Sequence, residues 1–187
     1  MWRLLLLLSI VPIAAALLLR WWFGLRVLAA LGKRPCRRDL TRWETALGAS
    51  PEAIANEHAA ACEFGTQLRL AAIAQWHRSE PKLAAAREST RRFGLAVPPL
   101  SAMVAVFAAI LAKIPITGAI VIFIAATALA TVFSLLSLGA ELRAIASAAR
   151  ALRHSRAFIR SDDEEAVIQA AIAHAWCETV PPVLRML

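Results

Sequence analysis

The chain has no tyrosine, only seven glycines and three cysteines, and charged side chains make up just 18% of its 187 residues. Cys36, Cys62 and Cys177 are odd in number, far apart and outside any CxxC pair. That pattern excludes a disulfide-stapled secreted scaffold and makes reduced, cytosol-facing thiols the expectation. Acids are scarce, 13 against 21 Lys and Arg, which leaves a net charge of +8. Motifs that carry chemistry are missing: there is no HExxH, G-x-S-x-G, P-loop, Gly-rich dinucleotide turn or C-x-x-C-H. No internal repeat or low-complexity linker is evident, and no run alternates apolar and polar residues at period two, so a sheet has no candidate strands.

What the chain does have is apolar residues, 59% of the total, against about 45–50% in a soluble domain. The mean hydropathy is +0.60. The excess sits in three blocks, which rules out a disordered chain or an ordinary cytosolic enzyme and points to a small integral membrane protein. The first block runs from Leu4 to Leu19 and is closed by Arg20, Trp21, Trp22 and Phe23. It is slightly short of the roughly 17–25 residues a span needs, but Arg20 can snorkel while the two tryptophans lie in the interface. Only Met1-Trp2-Arg3 precede it and no convincing A-x-A site precedes the basic stretch, so an uncleaved anchor is expected rather than a signal peptide.

The second block lies between Arg92 and Lys113, with Pro98 and Pro99 read as near its helix start, where a missing N–H costs least. The third runs uncharged from Ile114 to Ala140, and Lys113 to Gly118 read as the turn of a transmembrane hairpin. Basic residues crowd after span one (Arg20, Arg26, Lys33, Arg34, Arg37, Arg38) and after span three, while Arg3 and Lys113 stand alone on the other side. The positive-inside rule then puts the N-terminus and the hairpin turn outside and the C-terminus in the cytoplasm of a bacterial inner membrane. The expected fold is an all-α integral membrane protein. Residues 1–32 form an anchor, 33–92 a cytoplasmic helical segment, 93–140 a transmembrane hairpin, and 141–187 cytoplasmic amphipathic and C-terminal helices.

Within 40–92 the pattern is helical, with a start signal at Ser50-Pro51-Glu52 and a possible break at Gly65. After span three, Arg143, Arg150, Arg153, Arg156 and Arg160 fall in one arc at 100° per residue, opposite Ile145, Ala149, Leu152 and Ile159. This is either a solvated face or a surface for anionic lipid of the inner leaflet. No recognition motif accompanies the charge, so nucleic acid is not an expected partner. Ser161 to Glu164 reads as a capping box. The following helix, Ala166 to about Thr179, is apolar on most sides and is expected to pack on the hairpin or on a partner. Thr127, Thr131, Ser134 and Ser137 recur among small residues of span three and form a helix-packing face.

The order of anchor, cytoplasmic segment, hairpin with a Pro at its start and long basic helix resembles the membrane-bound neutral zinc metallopeptidases of bacteria. The stretches that carry the likeness are Val97 to Leu100, Val132 to Glu141 and Phe158 to Glu165. That family's active site is an HExxH helix. Placing Trp76-His77 against the tail of that helix puts Arg69, Leu70 and Ile73 at its His, Glu and His positions, and Glu141 where a further acid stands. Arg stays protonated and Leu and Ile have no lone pair, so the resemblance implies a member without catalytic machinery. The candidates for rebuilding a metal site are His58 and Cys62, spaced i, i+4 on an expected helix, with His77, His174 and Glu141. They match no zinc signature, so neither a catalytic residue nor a cofactor is expected. The leading expectation is a non-catalytic scaffold or accessory subunit whose partners are other membrane proteins and anionic lipid. A zinc peptidase with non-standard ligands and an anionic-lipid adaptor are the alternatives.

Overall fold

A computed structural model describes residues 2–47, 56–111 and 113–185. Helices dominate: α1 (Trp2–Leu19), α2 (Arg26–Leu31), α3 (Leu40–Leu47), α4 (Ala61–Ser79), α5 (Pro81–Ile110), α6 (Ile116–Ser155), α7 (Ser161–Thr179) and α8 (Pro182–Arg185). A π-helical stretch, Arg20–Leu25, joins α1 to α2. Among the described residues, three helical stretches are long and apolar enough to cross a membrane: Leu4–Leu31, Pro81–Ile110 and Ile116–Ser155. The expected start signal at Ser50-Pro51-Glu52 lies outside the described residues.

The helical pattern has one exception. Pro35–Arg37 (β1) and His58–Ala60 (β2) pair antiparallel, with Cys36 opposite Ala59. Three residues per strand are too few to write a period-two pattern, and Pro35 stands at a strand's first position, where its missing N–H is tolerated. The ribbon sets up α4. Ala61 N–H donates to the Arg34 carbonyl (2.9 Å) and Cys62 N–H to that of Gly32 (3.0 Å). Two of the orphan donors of the first turn are thus met by backbone, and α4 starts without a side-chain cap.

Two helices run further than their sequence blocks suggest. α5 begins at Pro81, whose fixed φ suits a first helical position, so Pro98 and Pro99 lie inside the helix and not near its start. A bilayer span tolerates such prolines. α6 runs unbroken for 40 residues, about 60 Å at 1.5 Å per residue. A hydrocarbon core of about 30 Å takes up only half of that. Span three and the amphipathic stretch after it are therefore one helix. The hairpin turn is narrower than expected, because Thr117 and Gly118 already belong to α6.

The chain divides into two compact units. One comprises Met1–Leu19, Ala86–Ser137 and Thr179–Leu187. In it Ala16 packs with Val180, Leu184 and Leu135, and Phe93 of α5 meets Phe133 of α6 edge-on at 5.7 Å. Thr127 and Thr131 are buried there, their hydroxyls donating back to the carbonyls of Phe123 and Thr127. Arg87 of α5 donates to the Ser134 carbonyl (2.9 Å) and the Ser137 hydroxyl (2.5 Å). The threonine–serine face of span three is thus used within the chain.

The other unit comprises Arg20–Ala85 and Leu138–Glu178. Its core joins Trp43, Phe64, Leu68, Ile145, Leu152, Phe158 and Val167. Arg38 is buried in it, its guanidinium 4.6 Å from the Trp43 ring centre and 4.5 Å from that of Phe64. The apolar α7 finds its partners here, within the chain. Gly65 does not break α4. It lets α4 cross α7, since an added Cβ would sit 2.7 Å from Ala170 Cβ and 2.9 Å from Ala171 N. Gly65→Val is therefore predicted to destabilise the protein by about 2 kcal/mol or more through overpacking. Gly94→Ala, whose Cβ meets nothing within 4 Å, is predicted to leave stability unchanged or raise it. Thermal unfolding in detergent checks both.

Candidate functional site

Arg69 lies on the buried face of α4, midway along the helix, and is 6% exposed. Its Nε donates to Glu141 Oε1 of α6 at 2.7 Å, and its Nη2 lies at the same distance from that oxygen. The other side of the fork grips Glu178 of α7 bidentately, Nη1 to Oε1 at 2.7 Å and Nη2 to Oε2 at 2.9 Å. Glu141 is 2% exposed. Burial works against the Arg69 charge, but bonds to Glu178 and Glu141 outweigh it and raise the guanidinium above its ordinary value. Glu178 stands in the last turn of α7, where the helix dipole opposes an anion, so the guanidinium also offsets that cost.

One turn before Glu178, His174 Nε2 lies 3.2 Å from both the Cys62 carbonyl and the Thr66 hydroxyl of α4. Burial, the largest cause, and the nearby Arg69 charge lower its pKa below the ordinary imidazole value, while the Cys62 carbonyl and Glu178 pull the other way. α4 and α7 thus face each other with Arg69 and Glu178 at one level and Thr66 and His174 at the next. The arrangement holds a cation between carboxylates. It offers neither an activated nucleophile nor free carboxylates for a metal, because Arg69 already takes up both acids.

The structure scatters most of the other candidate ligands. His58 is exposed on β2 and His77 is exposed near the end of α4. The helix begins only at Ala61, so His58 and Cys62 do not share a helical face. Among the described residues no group of three or more His, Cys, Asp or Glu converges in a way that could hold a metal ion. Glu141 and His174 do come together around Arg69. Glu178 completes the cluster and is absent from the sequence-based candidates, although its i, i+4 spacing from His174 was there to be read.

The arginine arc is also reorganised. Arg143, Arg150, Arg153, Arg156 and Arg160 are all exposed, and Ile145, Ala149 and Leu152 are buried on the opposite side. However, α6 ends at Ser155 and Arg156 takes a left-handed backbone, φ 52°. The arc is broken there, which leaves Ile159 exposed instead of buried. Arg153 is taken up by Glu164 (3.2 Å) and Glu165 (2.8 Å). Glu164 therefore turns to Arg153 instead of closing a capping box, while the buried Asp163 takes Arg34 at 3.1 Å. Cys36 lies beside that pair, and burial, reinforced by Asp163, pushes its thiol up to about 11.

Comparison with protein-family models, curated proteins and solved structures finds no match to this chain.

His174 gives the site a pH signature. Its folded pKa is depressed, so between that value and the ordinary 6.5 the unfolded chain binds a proton that the folded chain does not. Stability contributed by neutral His174 is present above about 6.5 and is lost as pH falls below it. The melting temperature of the wild type is predicted to fall more steeply from pH 7.5 to 5.5 than that of His174→Gln, and parallel curves would contradict this.

Proposed function

We propose that the protein is a non-catalytic scaffold or accessory subunit of a larger assembly in a bacterial inner membrane, akin to a metallopeptidase that has lost its zinc site. The observation that carries this reading is the contact between Arg69 and Glu141, 72 residues apart in sequence. These are the residues that the resemblance places at the first histidine of HExxH and at a further acid. Their meeting supports the alignment in space. The guanidinium stands where the resemblance would put a ligand, and a fixed positive charge there repels a metal cation.

In this reading α1 and the α5–α6 hairpin cross the bilayer, with the N-terminus and the hairpin turn outside and the C-terminus in the cytoplasm. Partner contacts do not use α7 or the Thr127–Ser137 face, which are occupied within the chain. The surface left for neighbouring subunits or lipid includes the exposed apolar sides of α1 (Leu4, Leu8, Val11), of α5 (Val104, Phe107) and of α6 (Ile116, Leu136). The peptidase alternative would use Glu141 with His58, His77 or His174, and would need Glu141 released from Arg69. The lipid-adaptor alternative keeps Arg143 and Arg150.

Purification in mild detergent after chemical crosslinking separates these readings. The protein is predicted to elute in a crosslinked species well above 20.2 kDa and to carry less than stoichiometric zinc. A monodisperse uncrosslinked monomer contradicts the subunit reading. Stoichiometric zinc with hydrolysis lost on Glu141→Gln would establish the enzyme instead.

A further inference from the structure

A groove of about 290 Å³ opens between the C-terminal half of α4 and the stretch of α6 from Ala140 to Ser147. Its floor is alanine. One wall carries Gln75 and Ser79, one turn apart on α4, and the other carries Arg143 and Ser147, one turn apart on α6. Trp76 and Glu80 close the end, the indole Nε1 donating to Glu80 Oε2 at 3.1 Å. Arg143 and Glu80 are both exposed, and neither has an ion-pair partner among the described residues. Arg153, by contrast, is tied to Glu164 and Glu165. Of the arginine series, Arg143 lines this groove.

We propose that this groove binds the headgroup of a zwitterionic phospholipid, phosphatidylethanolamine in type, with the phosphate on Arg143 and Ser147 and the ammonium on Glu80 beside Trp76. The groove offers one uncompensated cation and one uncompensated anion, together with neutral hydroxyl and amide groups. A ligand that satisfies both carries a phosphate monoanion joined to an ammonium. A purely anionic headgroup would satisfy Arg143 and set its charge against Glu80, so the preference is the reverse of that expected of a bare arginine arc. The lipid, and not a free phosphate ester, is the source favoured by sequence position: Arg143 follows the uncharged stretch of α6 by less than one helical turn. A tryptophan at that level suits the boundary between acyl chains and water. The proposal rests on the reading that α6 crosses the bilayer.

The test uses the full chain, delipidated in detergent and followed by native mass spectrometry during titration with phosphatidylethanolamine, phosphatidylglycerol and soluble phosphoethanolamine. The wild type is expected to retain phosphatidylethanolamine several-fold more tightly than phosphatidylglycerol. Arg143→Ala should weaken phosphatidylethanolamine about tenfold or more, as loss of a charge-assisted bond implies. Glu80→Gln should erase the preference between the two lipids, and Arg150→Ala, exposed outside the groove, should change neither. Circular dichroism checks that each variant remains helical. The proposal is overturned if Glu80→Gln leaves the preference intact, if Arg150→Ala costs as much as Arg143→Ala, or if soluble phosphoethanolamine binds as tightly as the lipid. An alkaline wash of membranes separates the underlying reading. Release of the wild-type chain would overturn the membrane assignment itself, whereas a retained chain without the lipid preference would overturn only the groove.

Discussion

The unit formed by Arg20–Ala85 and Leu138–Glu178 is organised around one guanidinium. Arg69 joins α4 to α6 through Glu141 and to α7 through Glu178, at distances between 2.7 and 2.9 Å. A cation this deeply buried is tolerated only when its partners are geometrically fixed, because Arg69 and Glu141 have lost their hydration and the half-buried Glu178 part of its own. The consequence is positional. Gly65, one turn earlier on α4, must come close enough to α7 for backbone contact, and Thr66 must meet His174. Sliding α4 along α7 would break the ion pair and the glycine crossing together. Such a pair is a device for register more than for stability, since an apolar core of the same volume could be at least as stable.

The same logic explains the weak chemical signal of the sequence. Charge inside the chain is spent on structure: Arg69 on two glutamates, Arg34 on Asp162 and Asp163, Arg153 on Glu164 and Glu165. Arg38 stands on Trp43 and Phe64 and donates to Gln67 at 2.7 Å. In the groove between α4 and α6, Arg143 and Glu80 have no ion-pair partner among the described residues.

The helices that could cross a membrane were legible because composition alone defines them. A run such as Leu4 to Leu19 has few other solutions, and Lys113 with Pro115 marks the hairpin turn by local chemistry. Buried and exposed sides of α6 at Ile145, Ala149 and Leu152 followed from periodicity. Boundaries did not follow. Nothing in residues 141–155 announces that they continue the helix of span three, and the stop at Ser155 comes from a left-handed Arg156, where glycine would have been the visible signal. The Pro35–Arg37 ribbon is too short to leave a pattern. The Arg69 cluster was half visible. Glu141 and His174 stood out as titratable residues on apolar helices, but their meeting with Arg69 and Glu178 spans more than a hundred residues and depends on how the helices pack.

The central claim is that Arg69 is a structural cation whose removal strands the buried carboxylate of Glu141 and leaves the half-buried Glu178 without its partner. The most direct measurement compares the unfolding free energy of Arg69→Met with that of the triple variant Arg69→Met/Glu141→Leu/Glu178→Leu. The account predicts a loss of about 3–5 kcal/mol for the single substitution and recovery of most of it in the triple variant, where no charge is left unpaired. A single variant that unfolds with the wild type would contradict it.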